Sequence, residues 1–549
     1  MATREEILRK DTEDLARLGY GQQLLREMGG FSNFAVSFSI ISVLTGAVLL
    51  YGYGLKLAGP IVNTVGWPVV SVFTLAIAAS MAELASAYPT AGGLYFWAFR
   101  LGGRGWAWTT AWLNMVGQVT ITAAINVAAA IYLVGAATRI FGLPAQASVP
   151  LFGSLTSWGF QLFVMMLLMI PQVAINIFGV RLTARLNDFS VTWHIAGVAV
   201  IVLLLALFGK YHNSLGFLFR FQKAVNPLEA SSAALGGGRV APALVLGQTR
   251  MPSPLFALVP GLTELYRAAP FGLAFVLSLL QAQWTYTGYD ASAHMAEETR
   301  MARLNSAWGI FLSVAVSAVI GCVLLVVLTW TIPRGDVAAV ASDAYPVLAI
   351  ADGNLGRLAA DLVAVIIGGA MWLCGSSSVS SMARMWFAFA RDGGMPGSRW
   401  IATVSPRTGA PVAAILVTSV LAVLVSIYAA AFAALTSAST IALYLAYGIP
   451  IFLNLRNRRR GLGEFATRET APWSLGRRAT PVNLVAVVWI LFISVVFALP
   501  PNELVLWTML FFALLLFLYW QAYARRRFHG PDRTPSPDYS RTPGRNTRR

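Results

Sequence analysis

Two Thr-Gly pairs, Thr45-Gly46 and Thr287-Gly288, lie inside long uncharged apolar runs, where polar groups are costly unless satisfied or used. Each pair predicts an interrupted helix near mid-membrane. A broken helix leaves unpaired N–H groups at the start of its second half, which suit a carboxylate. It leaves unpaired carbonyls at the end of its first half, which suit an ammonium group or a cation. Ser42, Thr45 and Gly46 are therefore candidates to cradle a carboxylate, and the backbone of Tyr286, Thr287 and Gly288 to receive an amino group. Glycine lets a ligand approach the backbone closely, although close helix packing explains the glycines equally well. Trp284, Tyr286 and Tyr289 can cover an organic cation face-on, or pack and anchor the helix.

Other polar residues share the apolar runs. Asn114 and Gln118 are four apart, so they lie on one helix face, turned either to a ligand or to a neighbouring helix. The run CGSSSVSS, Cys374–Ser381, offers the hydroxyls of Ser377 and Ser378 as oxygen ligands or as small packing residues. His194 can switch charge near neutral pH, or be a satisfied buried histidine near a span end. Glu83, Asp290, Glu297 and Glu298 fall near span ends and are expected to pair with Arg100, Arg104, Arg300 or Arg384 as an inner gate. Nothing in the chain predicts bond-making chemistry: paired carboxylates of mechanistic spacing, a P-loop, a zinc motif and a GxSxG elbow are all missing. Cys322 and Cys374 sit in apolar runs as small hydrophobes. The expectation is a chain that is no enzyme and uses neither cofactor nor metal.

Such residues need long apolar helices to hold them. With 57% hydrophobic and 11% charged residues among 549, and a mean hydropathy of +0.66, the chain lacks the polar surface of a soluble globule. The predicted fold class is an all-α integral membrane protein. Crossing about 30 Å of hydrocarbon takes about 20 apolar residues, and the sequence offers twelve such runs. The first six lie within Phe34–Tyr53, Trp67–Ala87, Trp108–Val134, Trp158–Phe178, Phe189–Leu207 and Phe271–Tyr289. The rest lie within Ala307–Thr331, Leu358–Ala383, Pro411–Ala430, Thr436–Leu455, Leu484–Leu499 and Glu503–Tyr523.

An even number of spans puts both termini on one side. Thirty of the 40 Lys and Arg residues fall on that side, so the termini are expected to be cytoplasmic in a cell membrane. The resulting organisation is a cytoplasmic arm (1–33), a first five-span half (34–207), an outer loop (208–270) and a second five-span half (271–455). A basic loop (456–483), spans eleven and twelve (484–523) and a basic tail (524–549) follow. The net charge of +17 concentrates in the stretch Arg456–Arg478 and in the tail, both expected to be disordered or to lie on the surface. Attraction to anionic lipid headgroups accounts for them, and no nucleic-acid recognition fold accompanies them. The outer loop, with its Gly236–Gly238 run and several prolines, is expected to be partly ordered.

Longer motifs narrow the reading. AELASAYPTAGGLYFW, Ala82–Trp97, resembles the end of the second span and following loop of amino acid/polyamine/organocation (APC) superfamily permeases. SSMARMWFAFARDGGMP, Ser380–Pro396, followed by SPRTGAPV, Ser405–Val412, resembles their eighth-span signature. TGYDASAHMAEET, Thr287–Thr299, and LGYGQQLLREMGGFSNFAVSFSIIS, Leu18–Ser42, are similar to the amino acid/choline transporter branch. The sequence departs from the pattern at Ala307, where a proline is expected, and in the length of the outer segment Lys210–Ala269.

The resemblance implies a LeuT-like five-plus-five inverted repeat with spans one and six broken at the substrate and two extra C-terminal spans. It implies a secondary active permease working by alternating access, with a proton or sodium ion as coupling partner and lipid around it. Related transporters hold sodium between spans one and eight, where Ser377 and Ser378 fall. Some proton-coupled members carry a lysine in span five where His194 stands, counted from Gly179–Asp188. The expected cargo is a small amino acid or a γ-aminobutyrate-like compound, with choline or a polyamine as the alternative. A non-transporting nutrient receptor is a further alternative.

Overall fold

Backbone groups in hydrocarbon have only each other as partners, so each apolar run becomes a helix. The structure is a computed structural model and describes residues 3–144, 147–150, 152–227, 254–428, 432–461 and 463–531. The Gly236–Gly238 run, residues 429–431 and the tail from 532 onward lie outside them. Among the described residues ten helices are long and apolar enough to span a membrane. Leu262–Ala268 and Phe271–Thr285, bent by 90° at the break between them, make an eleventh when taken together, and a shorter apolar helix, Val412–Ile427, a twelfth.

The helices overrun the apolar windows. Span three runs Arg104–Ile140, span five Val180–Phe208 and span eight Arg357–Arg391. Hydrophobicity marks lipid depth, whereas a helix continues until its backbone bonding is stopped. Glycines in positive-φ geometry, Gly103, Gly179 and Gly356, set the N-terminal limits of these three.

Spans at equivalent places in the two halves pack together: one on six, two on seven, three on eight, four on nine. Span ten, within Phe432–Arg460, packs against span three and span eleven, Ala479–Val496. Span twelve, Glu503–Tyr519, lies at the periphery, with Leu510, Phe511 and Leu514 exposed.

The face carrying the termini is closed by the N-terminal arm. Its helix, Arg4–Arg17, is started by a capping box of Thr3 and Glu6. Met28 then pairs with Thr299 as an isolated bridge, and the Arg26 guanidinium donates to the carbonyls of Ala296 and Thr299. The Tyr20 hydroxyl donates to Asp392 Oδ2 at 2.7 Å, and Arg391 lies 4.0 Å over the Tyr20 ring.

Burial pushes the Asp392 carboxyl up to about 7, against a smaller opposing effect of the Tyr20 hydroxyl. The folded protein therefore holds this proton more tightly than the unfolded chain, whose Asp titrates near ~4. The contribution is complete below about pH 4 and lost as the pH rises through about 7. Asp392→Asn is expected to remove that decline, so thermal midpoints of variant and wild type should diverge between these pH values and run parallel above them.

The described residues of the basic stretch Arg456–Arg478 are packed rather than disordered, although Arg459, Arg460, Arg477 and Arg478 lie exposed on the surface, the other arrangement expected. Arg458 pairs with the buried Glu83 at 3.1 Å, Asn457 donates to the Leu101 carbonyl, and Ala466 and Ala471 are buried. A carboxylate buried at the end of span two requires a countercharge, and this linker supplies it. The tail likewise begins as helix through Arg527, with Phe528 packed on Phe389.

Candidate substrate and ion site

Span one breaks at Ser42, whose backbone adopts φ 31°, ψ 85°, between helices Gly30–Ile41 and Val43–Leu49. The break thus falls three residues before the Thr-Gly pair. Thr45 and Gly46 are helical, and their amides bond the Ser42 carbonyl. The reason lies in the contact Gly46 makes. A Cβ there would stand 2.8 Å from Thr285 Cα and 2.5 Å from its Oγ1, so this glycine lets spans one and six touch. The amides of Val43 and Leu44, first in the second half, have no carbonyl one turn back.

Span six breaks where the sequence placed it. Helix Leu280–Thr285 ends, Gly288 takes φ +87°, and the chain resumes as the short helix Ala291–His294. A Cβ on Gly288 would fall 2.2 Å from Ile40 Cγ2, on the turn preceding the span-one break. The two interrupted segments therefore face each other, each through a glycine. Between them is a cavity of about 10 Å³, lined by Ile40, Ile41, Thr45, Gly46, Trp284 and Thr287 among others. That is room for about one water, so the site is closed in this conformation.

It is sealed at both ends. Towards the face away from the termini, the Tyr345 hydroxyl donates to the Ile131 carbonyl and its ring meets Tyr132 edge-on at 5.5 Å. Towards the termini, Arg384 pairs with Glu298 at 3.2 Å, and Arg391 grips both oxygens of Glu297 at 2.9 Å. Of the expected ion pairs, Glu298–Arg384 forms with an anticipated partner. Glu83 and Glu297 instead take Arg458 and Arg391, and Arg100 reaches Glu464.

Asp290 pairs with no arginine among the described residues. It lies at the span-six break, fully buried, and its Oδ2 accepts from Asn114 (2.8 Å), Gln118 (3.1 Å) and His294 Nε2 (3.0 Å). Oδ1 accepts from the Tyr447 hydroxyl at 2.9 Å, and the Tyr447 hydroxyl oxygen in turn accepts from the Gly288 amide at 3.2 Å. Asn114 and Gln118 do share one face, as their spacing required, but both are spent on this carboxylate.

The aromatic residues divide. Tyr286 packs at a tilt on Trp67 (centroids 4.7 Å apart) and shares a 2.6 Å hydrogen bond with Ser71, so span two holds its side chain. Its carbonyl accepts from Tyr444. Trp284 donates to Ser439 and lines the cavity. Tyr289 packs with Tyr447 at 5.0 Å and Tyr444 at 6.5 Å. Tyr444 and Tyr447 were not anticipated, although their three-residue spacing puts both on one face of span ten.

His194 reaches the span-one break: Nε2 lies 2.7 Å from Ser42 Oγ and Nδ1 2.7 Å from the Ser190 carbonyl. Ser377 and Ser378 turn apart, the first donating to Asn187 on span five, the second sharing a 2.6 Å bond with Thr122 on span three. Among the described residues no group of three or more His, Cys, Asp or Glu side chains could hold a metal ion.

The amino acid permease family profile matches residues 29–520. The chain is 32% identical to the amino-acid permease BAT1 of Arabidopsis thaliana over 513 residues, 88% of each chain. It is 30% identical to the rice BAT1 homolog over 88% of this chain and 87% of the other. A protein of Macrophomina phaseolina, named as a candidate amino acid/polyamine transporter, is 28% identical over 84% of this chain and 93% of its own.

Proposed function

Because the chain belongs to the amino acid permease family, a family of multi-pass membrane transporters rather than enzymes, we propose that it is a secondary active importer of a small amino acid or γ-aminobutyrate-like compound. It works by alternating access in the cell membrane with both termini cytoplasmic. The observation that carries this is the opposition of two interrupted spans through Gly46 and Gly288 around one closed cavity. The substrate carboxylate meets the span-one half-helix at Ser42, Thr45 and Gly46. The amino end meets the freed carbonyls around Tyr286–Gly288, beneath Trp284. Asn114 and Gln118 act through Asp290. Glu298–Arg384 and Glu297–Arg391 must part for release. Coupling is to a proton or sodium ion, with His194, Ser377 and Ser378 the candidates that the family resemblance suggests.

A second reading has one observation in its favour. Asp290 puts a buried carboxylate beside the break, and an organic cation such as choline or a polyamine would be drawn to it. A thermal-shift screen of the purified protein separates the two. A ligand at 100 times its Kd stabilises the native state by about 2.7 kcal/mol. γ-Aminobutyrate or another zwitterion is expected to raise the midpoint and to accumulate in vesicles. Stabilisation by choline or putrescine alone rejects the amino acid reading, and binding without flux leaves a receptor.

A further inference from the structure

We propose that Asp290 and His294 together form a proton-binding site in the inner segment of span six, and that this proton is the ion coupled to transport. The coupling half rests on reading the chain as a secondary active transporter; the proton site itself does not.

Both residues are fully buried. His294 Nε2 faces Asp290 Oδ2 at 3.0 Å, and Nδ1 faces the Ala91 carbonyl at 3.2 Å. A carbonyl oxygen only accepts. The same carboxylate oxygen accepts from two amide donors, Asn114 and Gln118, so it faces the ring as an acceptor and not as a hydroxyl. Both imidazole nitrogens therefore face acceptors, and a neutral ring has one N–H to offer them. The arrangement is satisfied when the ring carries both protons, an imidazolium beside a carboxylate.

His194 shows the opposite pattern. Its Nδ1–H can donate to the Ser190 carbonyl while Nε2 accepts from the Ser42 hydroxyl, so the neutral tautomer satisfies every partner. Of the two buried histidines, His294 alone has surroundings that ask for an extra proton.

The groups around the pair leave that proton to it. Span ten presents Tyr447 and Tyr444, and the segment itself Tyr289; none is basic. Span one contributes the neutral Asn33 and Ser37. Span eight carries Arg384 and Arg391, already matched by Glu298 and Glu297. Span seven carries Arg303, bound to the carbonyls of Ser86 and Thr470. Among the described residues no Lys or Arg bonds either member.

The pair is also placed where transport must move it. Its partners come from spans three and ten and from the loop after span two, where Gly93 leaves only 3.5 Å between a would-be Cβ and His294 Nδ1. Parting span six from that loop takes the Ala91 acceptor away. The Nδ1–H bond then breaks, the proton passes to water on the side of the termini, and neutral imidazole remains to be reprotonated from the other side. One proton moves per cycle.

The test has two arms. In the first, full-length protein with ¹⁵N-labelled histidine is reconstituted in nanodiscs and its four histidines are followed by NMR between pH 6 and about 9. A His294 ring with both nitrogens protonated is expected at pH 7. It should vanish in His294→Gln and become neutral imidazole in Asp290→Asn. A neutral His294 in the wild type at pH 7 overturns the proton site, whatever the variants do. In the second arm, γ-aminobutyrate is the probe in proteoliposomes, with counterflow measured beside pH-gradient-driven accumulation. His294→Gln is expected to lose accumulation at least tenfold while counterflow continues. Unchanged accumulation, or accumulation that follows sodium and ignores the pH gradient, overturns the coupling. Wild type showing no counterflow of any amino acid defeats the functional reading instead, and the spectra then decide the proton site alone.

Discussion

Gly288→Ala and Gly46→Ala are each expected to cut uptake by more than about tenfold, through two separate contacts between spans one and six. At Gly288 two costs add. The backbone sits at φ +87°, where a side chain costs about 1–2 kcal/mol, and the new methyl meets Ile40 Cγ2 at 2.2 Å. At Gly46 the backbone is helical and alanine is locally favoured by about 1 kcal/mol. There the whole penalty comes from Thr285, whose Cα stands 2.8 Å away and cannot turn aside as a rotamer would. Overpacking costs about 1–3 kcal/mol, and here it is levied on the approach of two segments that must close over a ligand. Adding Ile40→Ala should restore part of the activity lost in Gly288→Ala, the steric part, and leave the backbone part. Initial rates in vesicles, normalised to protein present, give the answer. An unchanged KM in both Gly46→Val and Gly288→Val would remove the site from between the two breaks.

The second large effect is on stability. Glu298 and Arg384 are both buried, 1% and 0% exposed, so Glu298→Ala leaves a guanidinium without its countercharge. The Asn176 side chain and the Ser380 carbonyl remain as longer, weaker partners at 3.3 and 3.5 Å. Breaking a buried pair from one side costs about 3–5 kcal/mol, whereas replacing both members by apolar residues of similar volume is often neutral. Thermal midpoints in detergent should therefore fall steeply for Glu298→Ala and recover in Glu298→Leu/Arg384→Met. The double variant is expected to fold and yet transport poorly, because an apolar seal lacks the charges whose separation sets the opening. A single variant as stable as wild type would mean that the pair does not hold the gate.

Much of the fold was legible because membrane helices are specified locally. Twelve uncharged runs of sufficient length have no other stable form in lipid, and the break in span six coincides with Thr287-Gly288 for the same reason. The break in span one was read three residues late. A glycine in an apolar helix marks close approach as readily as interruption, and Gly46 serves approach while Ser42, an ordinary residue in an uncommon conformation, carries the interruption. In the linker Arg456–Arg478 charge density points to solvent, yet Arg458 answers the carboxylate of Glu83, buried elsewhere in the chain, and composition says nothing about where a countercharge is needed.

By itself the sequence determined an all-α membrane chain with twelve apolar runs of about spanning length, two of them carrying a Thr-Gly pair. Hydrophobic length and helix-breaking chemistry are properties of short segments, so they can be read in order along the chain. Only the tertiary structure decided the pairings: Asp290 with Asn114 and Gln118, 176 and 172 residues away, His194 with Ser42 across 152, Ser377 with Asn187 across 190. Each is a choice among several buried groups of similar hydrogen-bonding capacity, and that choice is made by which helix faces are brought together.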